Sequence, residues 1–175
     1  MAKTNWTIDT THSKVGFKVK HMMFTNVSGK FNTYGGSFET EDDDFTNASI
    51  VFTADTNSID TANVDRDNHL KSADFFDAEQ FPKLTFKVTS FAPKGDDYEV
   101  TGDLTIKDVT KSVSFPAEYS GLMKDPWGNT KAGLNVYGKI NRKEFGLNWN
   151  AALETGGVLV GEDVKLEVEL QLLKQ

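Results

Sequence analysis

The sequence predicts an all-β fold in which eight antiparallel strands close into a barrel, with a short helical insertion between strands 3 and 4. Three observations lead there. Apolar side chains recur at alternate positions in segment after segment, the period of a strand with one buried face. Turn-forming clusters separate these segments at hairpin spacing. A single stretch, residues 61–81, breaks the alternation. Closure follows because an open sheet would leave two unpaired edges.

The first strand places Val15, Phe17, Val19 and His21 on one face and Lys14, Gly16, Lys18 and Lys20 on the other. The second runs from Val27 to Phe38 and carries glycines at 29, 35 and 36. In the third, Ile50, Phe52 and Ala54 alternate with Val51, Thr53 and Asp55. Thr61 to Phe81 has no such alternation. Its acids fall early in each of two helical turns and Ser72 stands as an N-cap before Ala73 and Asp74, which predicts one or two short helices. An insertion that occurs once is not the recurrent crossover of a doubly wound parallel sheet.

Leu84, Phe86 and Val88 mark the fourth strand, and Tyr98, Val100, Gly102, Leu104 and Ile106 the fifth. Val113, Phe115, Ala117 and Tyr119 form the sixth, and Leu134, Val136, Gly138 and Ile140 the seventh. The eighth carries Val164, Leu166, Val168, Leu170 and Leu172, and closure pairs it with the first strand around Phe17. Turn signals lie at 41–44, 93–97, 107–110, 125–129 and Gly156-Gly157. The acidic run 41–44 lacks the spaced ligands and distal Glu of a calcium loop and reads as a solvated turn. An eight-stranded interior either fills with side chains or holds one small ligand. Gly102 and Gly138 fall on the inward parity, and on this ground alone a cavity and a bend needed for curvature are equally good readings.

The chain's 175 residues fit one domain, 1–175, large enough to bury a core without metal or disulfides. With no cysteine, thiol catalysis, Cys-based zinc sites and iron–sulfur clusters are excluded. A net charge of −7 argues against nucleic-acid binding and against docking on an anionic membrane. No stretch reaches the roughly 18 apolar residues of a membrane helix, so no stable membrane insertion is expected. The first residues lack the apolar run of a secretory signal, which makes the sequence as it stands cytoplasmic, or periplasmic or secreted if a leader has been trimmed. Asn5, Asn26 and Asn47 open Asn-x-Ser/Thr triplets that read as chance.

The densest polar cluster is Asp65-Arg66-Asp67-Asn68-His69. A functional reading makes Asp67 and His69 a base with its orienting carboxylate, or Arg66 a clamp for an anionic head group. The plainer reading, which spacing favours, is an exposed helix start. His12, His21 and His69 form no metal-ligand pair, so no metal is expected. Nucleophile elbows, phosphate loops and dinucleotide fingerprints are absent.

Seven runs in order carry a family resemblance. Asn5-Trp6-Thr7-Ile8-Asp9 followed by His12 to Phe17, Lys20-His21 and Gly29-Lys30-Phe31 resembles the opening of the YceI-like, polyisoprenoid-binding family. Ser58 to Thr61, Arg66 to Asp77, Phe81 to Phe86, Gly102 to Ile106, Thr110-Lys111 and Asn141 to Leu147 resemble its later runs. The resemblance implies a lipocalin-like barrel with a helical flap at its mouth and an elongated apolar tunnel, and it tips the glycine question toward a cavity. It implies a carrier of isoprenoid or other long-chain amphiphiles, without catalysis. Many relatives begin with a secretory signal, which this chain does not show, and Asp108-Val109 stands where some have Gly.

The reading is therefore a lipid carrier, monomer or homodimer, whose partner is a long-chain isoprenoid or similar amphiphile and which needs no cofactor beyond such a bound lipid. The expected lining is Phe17, Val19, His21, Phe31, Phe52, Phe86, Leu104, Ile106, Phe115 and Val136, with Leu70, Phe75 and Phe76 at the flap, and Arg66, Asp67 and His69 at the flap and head group, Arg66 and Asp67 holding the flap in place. Two alternatives stand beside it. One is a hydrolase or isomerase of a lipid-like substrate using Asp67 and His69. The other is a filled barrel that acts through its surface as a stress or partner-binding protein.

Overall fold

The computed structural model describes residues 2–22, 24–150 and 160–175. The strand segments among them are β1 (Lys3–Ile8), β2 (Lys14–His21), β3 (Thr25–Phe31), β4 (Tyr34–Glu41), β5 (Asp44–Asp55), β6 (Ile59–Asp60), β7 (Lys83–Lys94), β8 (Asp97–Ile106), β9 (Val109–Lys124), β10 (Thr130–Asn141) and β11 (Val160–Lys174). They assemble into eight staves of a closed antiparallel barrel. Both β1 and β2 pair with β11, Ile8 opposite Leu172 and Lys14 opposite Glu169, so they are one stave with a break. β3 pairs with β2 and β4 with β1, which makes the second stave broken at the same level. Phe17 faces Leu166 across the seam, closing the sheet where the alternation predicts.

β1 is an element the sequence reading does not contain. Trp6 and Ile8 are its only apolar residues, too few to establish a period. The chain leaves β1 at Asp9, whose carboxylate accepts from Thr11 N and Oγ1 and pairs with Lys131 Nζ at 3.0 Å and His12 Nδ1 at 2.8 Å. Hydrogen bonds from Thr11, His12 and Lys131 hold the Asp9 carboxyl well below the usual carboxylate range. Lys131 also donates to Gln171 at 3.0 Å, so the break is stitched to β10 and β11.

The insertion forms a single helix, α1 (Val64–Lys71). Asn63 caps it, accepting from Arg66 N at 3.0 Å. Ser72, expected as the cap of a second helix, ends this one instead, with its amide and hydroxyl both on His69 O. Residues beyond it close in turns, the amides of Phe75 and Asp77 both donating to Ser72 O. The 41–44 run forms a tight turn at Asp42 and Asp43, and Asp43 pairs with Lys174 at 2.8 Å. Gly156-Gly157, expected as a turn, lies outside the described residues.

The interior differs from end to end. At the β1 end, Trp6, Phe45, Phe91, Tyr98 and Tyr119 meet ring on ring across the lumen, with Trp6–Phe45 centroids 5.1 Å apart and Phe45–Tyr119 5.2 Å apart. Trp6 Nε1 donates to the buried Thr40 hydroxyl at 2.9 Å, so the polar tip of the plug is satisfied. At the α1 end the barrel is hollow.

Candidate ligand cavity

The hollow half holds a partly open cavity of about 610 Å³, walled almost entirely by apolar side chains of the strands and bordered by α1 and the turn after it. Phe17, Val19, His21, Phe31, Phe52, Phe86, Leu104, Ile106, Phe115 and Val136 all border it from the strands. Alternation explains why: each occupies the inward parity of its strand, as in β8, where Val100, Gly102, Leu104 and Ile106 are buried. Leu70, Phe75 and Phe76 border it from the insertion, Phe76 standing edge-on to Phe31 at 5.9 Å.

The inward glycines do not open the space directly. A methyl group at Gly102 would lie 2.9 Å from the Phe86 ring, and one at Gly29 or Gly138 would overlap the ring of Phe17 or Phe115. Each glycine gives a phenylalanine of the next strand room to lie flat along the wall. The void therefore comes from the posture of the rings, a third answer beside the two the sequence left open.

The polar groups on the wall gather toward the α1 end. Arg66 and His69 border the cavity there; Asp67 does not, and of the two places expected for it, flap and head group, it takes the flap. The Asp67 carboxylate turns back to accept from Thr61 N and Oγ1, while Arg66 Nε and Nη2 donate to Thr61 Oγ1 and O, both at 2.8 Å. These two side chains clamp the strand-to-helix link. His69 pairs with Asp74 at 3.0 Å, not with Asp67, so the proposed base and orienting carboxylate are not brought together. His12 sits on Asp9 at the stave break. Among the described residues, no three acids or histidines converge to hold a metal.

Arg142 is the wall residue that the alternation misses. It is 3% exposed, and its guanidinium donates to the carbonyls of Leu147, Trp149, Val160 and Gly161. Burial pushes its pKa down from the ordinary arginine value. The arginine fastens the segment after β10 to the start of β11 and carries Trp149 onto His69, with ring centroids 4.5 Å apart. Its only signal in the sequence is the Asn141 to Leu147 run that contributes to the family resemblance.

A hollow barrel with a buried arginine at its helical end is a geometry that comparison can place. The YceI-like domain matches residues 6–172. The chain belongs to the YceI-like family. A UPF0312 protein of Staphylococcus aureus is 42% identical over 169 residues, covering 96% of each chain. The YceI protein of Campylobacter jejuni superposes on this YceI-like barrel with a TM-score of 0.74 at 30% identity, covering 95% of this chain and 96% of that one. A polyisoprenoid binding domain from Saccharophagus degradans, implicated in plant cell wall breakdown, shares the fold with a TM-score of 0.68 at 12% identity, covering 97% and 98%. No helix among the described residues of this YceI-like chain is long and apolar enough to cross a membrane.

Proposed function

We propose that this YceI-like barrel is a lipid carrier that holds the tail of a polyisoprenoid or similar long-chain amphiphile in its hollow half, with the polar head at the α1 end and no chemical turnover. The observation that carries the reading is the apolar cavity of about 610 Å³, stopped at one end by an aromatic plug and edged with polar groups at the other. The Saccharophagus degradans domain that shares the fold is described as polyisoprenoid binding, which supports the same class of ligand. Burying an apolar chain contributes about 0.8 kcal/mol per methylene, so a tail of a few isoprene units suffices for tight binding once ordering costs are subtracted. Because the plug ends the cavity, a longer polyprenyl chain must fold back or protrude past α1.

Native mass spectrometry of the protein purified from its own source, followed by titration with isoprenoid alcohols of graded length, tests this. A co-purifying long-chain lipid is expected. Affinity should rise with chain length and then level off when the cavity is full. Length-independent weak binding, together with a source-purified protein free of lipid, would refute the carrier.

A further inference from the structure

Breaks in the strand alternation accompany the rings of the plug. On β7 the inward parity runs Leu84, Phe86, Val88, and continuing it would turn Ser90 into the lumen and Phe91 out. A register shift between Val88 and Ser90 reverses this. Thr89 is the extra residue, its hydroxyl donating to Thr101 O at 3.2 Å, and Phe91 comes to lie opposite Val100 at 6% exposure. The pairing of β4 with β5 shifts between Glu39 and Glu41, and Phe45, off the parity of Ile50, Phe52 and Ala54, is buried. A third shift, between Ala132 and Leu134, lies just past Tyr119 on β9. A bulge gives up ladder hydrogen bonds to re-aim a side chain, and at β7 the side chain re-aimed is Phe91.

Behind the plug lies a second space. A recess of about 310 Å³ opens at the β1 end, lined by Phe45, Tyr98, Tyr119, Leu122 and the turn from Asp42 to Thr46. It has about half the volume of the ligand cavity. Among the described residues Phe91 is the one side chain that borders both spaces. Its ring lies flat on Tyr98 and meets Tyr119 edge-on at 6.3 Å, so it is braced from the recess side. Phe45, Tyr98 and Tyr119 face the recess and do not border the cavity.

We infer that Phe91 is the ruler of this barrel, the partition that ends the ligand cavity and sets the longest tail able to lie extended inside it. The inference rests on the carrier reading and adds the length of the tail to it. β7 advances seven residues from Leu84 to Phe91, both on the cavity wall. At about 3.3 Å per residue and about 40° of tilt, that is a depth of about 18 Å. The preferred cargo is therefore a short isoprenoid amphiphile whose tail ends against Phe91. A longer tail leaves its surplus carbons outside the apolar wall and gains nothing from them. Removing the Phe91 ring joins the recess to the cavity, whereas removing a ring behind it only enlarges the recess.

Isoprenoid alcohols of increasing length, from geraniol through farnesol and geranylgeraniol to longer all-trans prenols, are each competed against a fluorescent long-chain probe. The limit is the length at which affinity stops rising. In Phe91→Ala that limit should move out by at least one isoprene unit, and the first alcohol past the wild-type limit should bind at least about tenfold more tightly than it does to the wild-type chain. Phe45→Ala should keep the wild-type limit, which separates loss of packing from loss of the partition. If melting shows that Phe91→Ala does not fold, Phe91→Val carries the same test. A folded Phe91 variant with the wild-type limit, or an equal shift in Phe45→Ala, overturns the ruler and leaves the carrier standing. Affinity that goes on rising with length in the wild-type chain does the same. If no alcohol of any length binds, the carrier reading falls and the ruler with it.

Discussion

The two ends of the barrel use the same kind of side chain to opposite effect. At the β1 end, rings meet one another across the lumen, as where Phe91 stacks on Tyr98 with centroids 4.9 Å apart and planes 1° from parallel. At the α1 end, Phe17, Phe86 and Phe115 lie against glycines of adjoining strands and leave the middle empty. Aromatic content therefore does not decide whether an eight-stranded barrel is filled. What decides it is whether the residue beside each inward ring is a side chain that props it up or a glycine that lets it lie down.

Removing one ring from each end gives the sharpest test of that contrast. Phe45→Ala should leave a hole among rings that cannot collapse and cost about 3–5 kcal/mol in urea unfolding. Phe52→Ala borders space that is already empty and should cost well under half as much. Equal losses would mean that the ends do not differ in packing.

The next test converts one end toward the other. Gly138→Leu should force the Phe115 ring off the wall, costing about 1–3 kcal/mol and shortening the longest isoprenoid alcohol accepted. A melting curve paired with a chain-length titration reads both, and stability loss with an unaltered length limit would break the link between glycines and the void.

A smaller effect is expected at Asp9, at the stave break between the two ends. Its carboxyl is held low by Thr11, then His12 and Lys131, so the stability it contributes is present above the ordinary carboxylate pKa and is lost as pH falls through the lowered one. Asp9→Asn should cost about 1–2 kcal/mol near neutral pH. It should also flatten the acid limb of stability below about pH 4, measured as melting temperature against pH. Smallest of all, Arg66→Ala frees one side of the Thr61 clamp. It should change stability by less than about 1 kcal/mol while speeding probe release in stopped flow.

The staves and the parity of their inward residues were legible because burial of one face imposes a period of two, and β8 shows that period without interruption. The helix start was not. Asn63 and Ser72 are both good N-cap residues, and only the turns that follow Ser72 show that its hydroxyl serves the end of α1. Asp67 looked like a partner for His69 from its spacing, but Thr61 lies before the helix and outside helical periodicity. Arg142 was hidden for a related reason. Its immediate neighbours Asn141, Lys143 and Glu144 are polar and carry no period, while the carbonyls of Val160 and Gly161 are far from it along the chain.

The seam has a consequence for the order of assembly. β11 pairs with β10 and with both halves of the first stave, so the barrel's last strand in chain order touches its first. Contacts this distant along the chain form slowly and late. Until β11 has left the ribosome, β10 and the β1–β2 stave are exposed edges, open to pairing with other chains. The cavity also lacks one of its walls until then, since Val164, Leu166, Val168 and Leu170 all belong to that strand. The cavity is complete only once that last seam has closed.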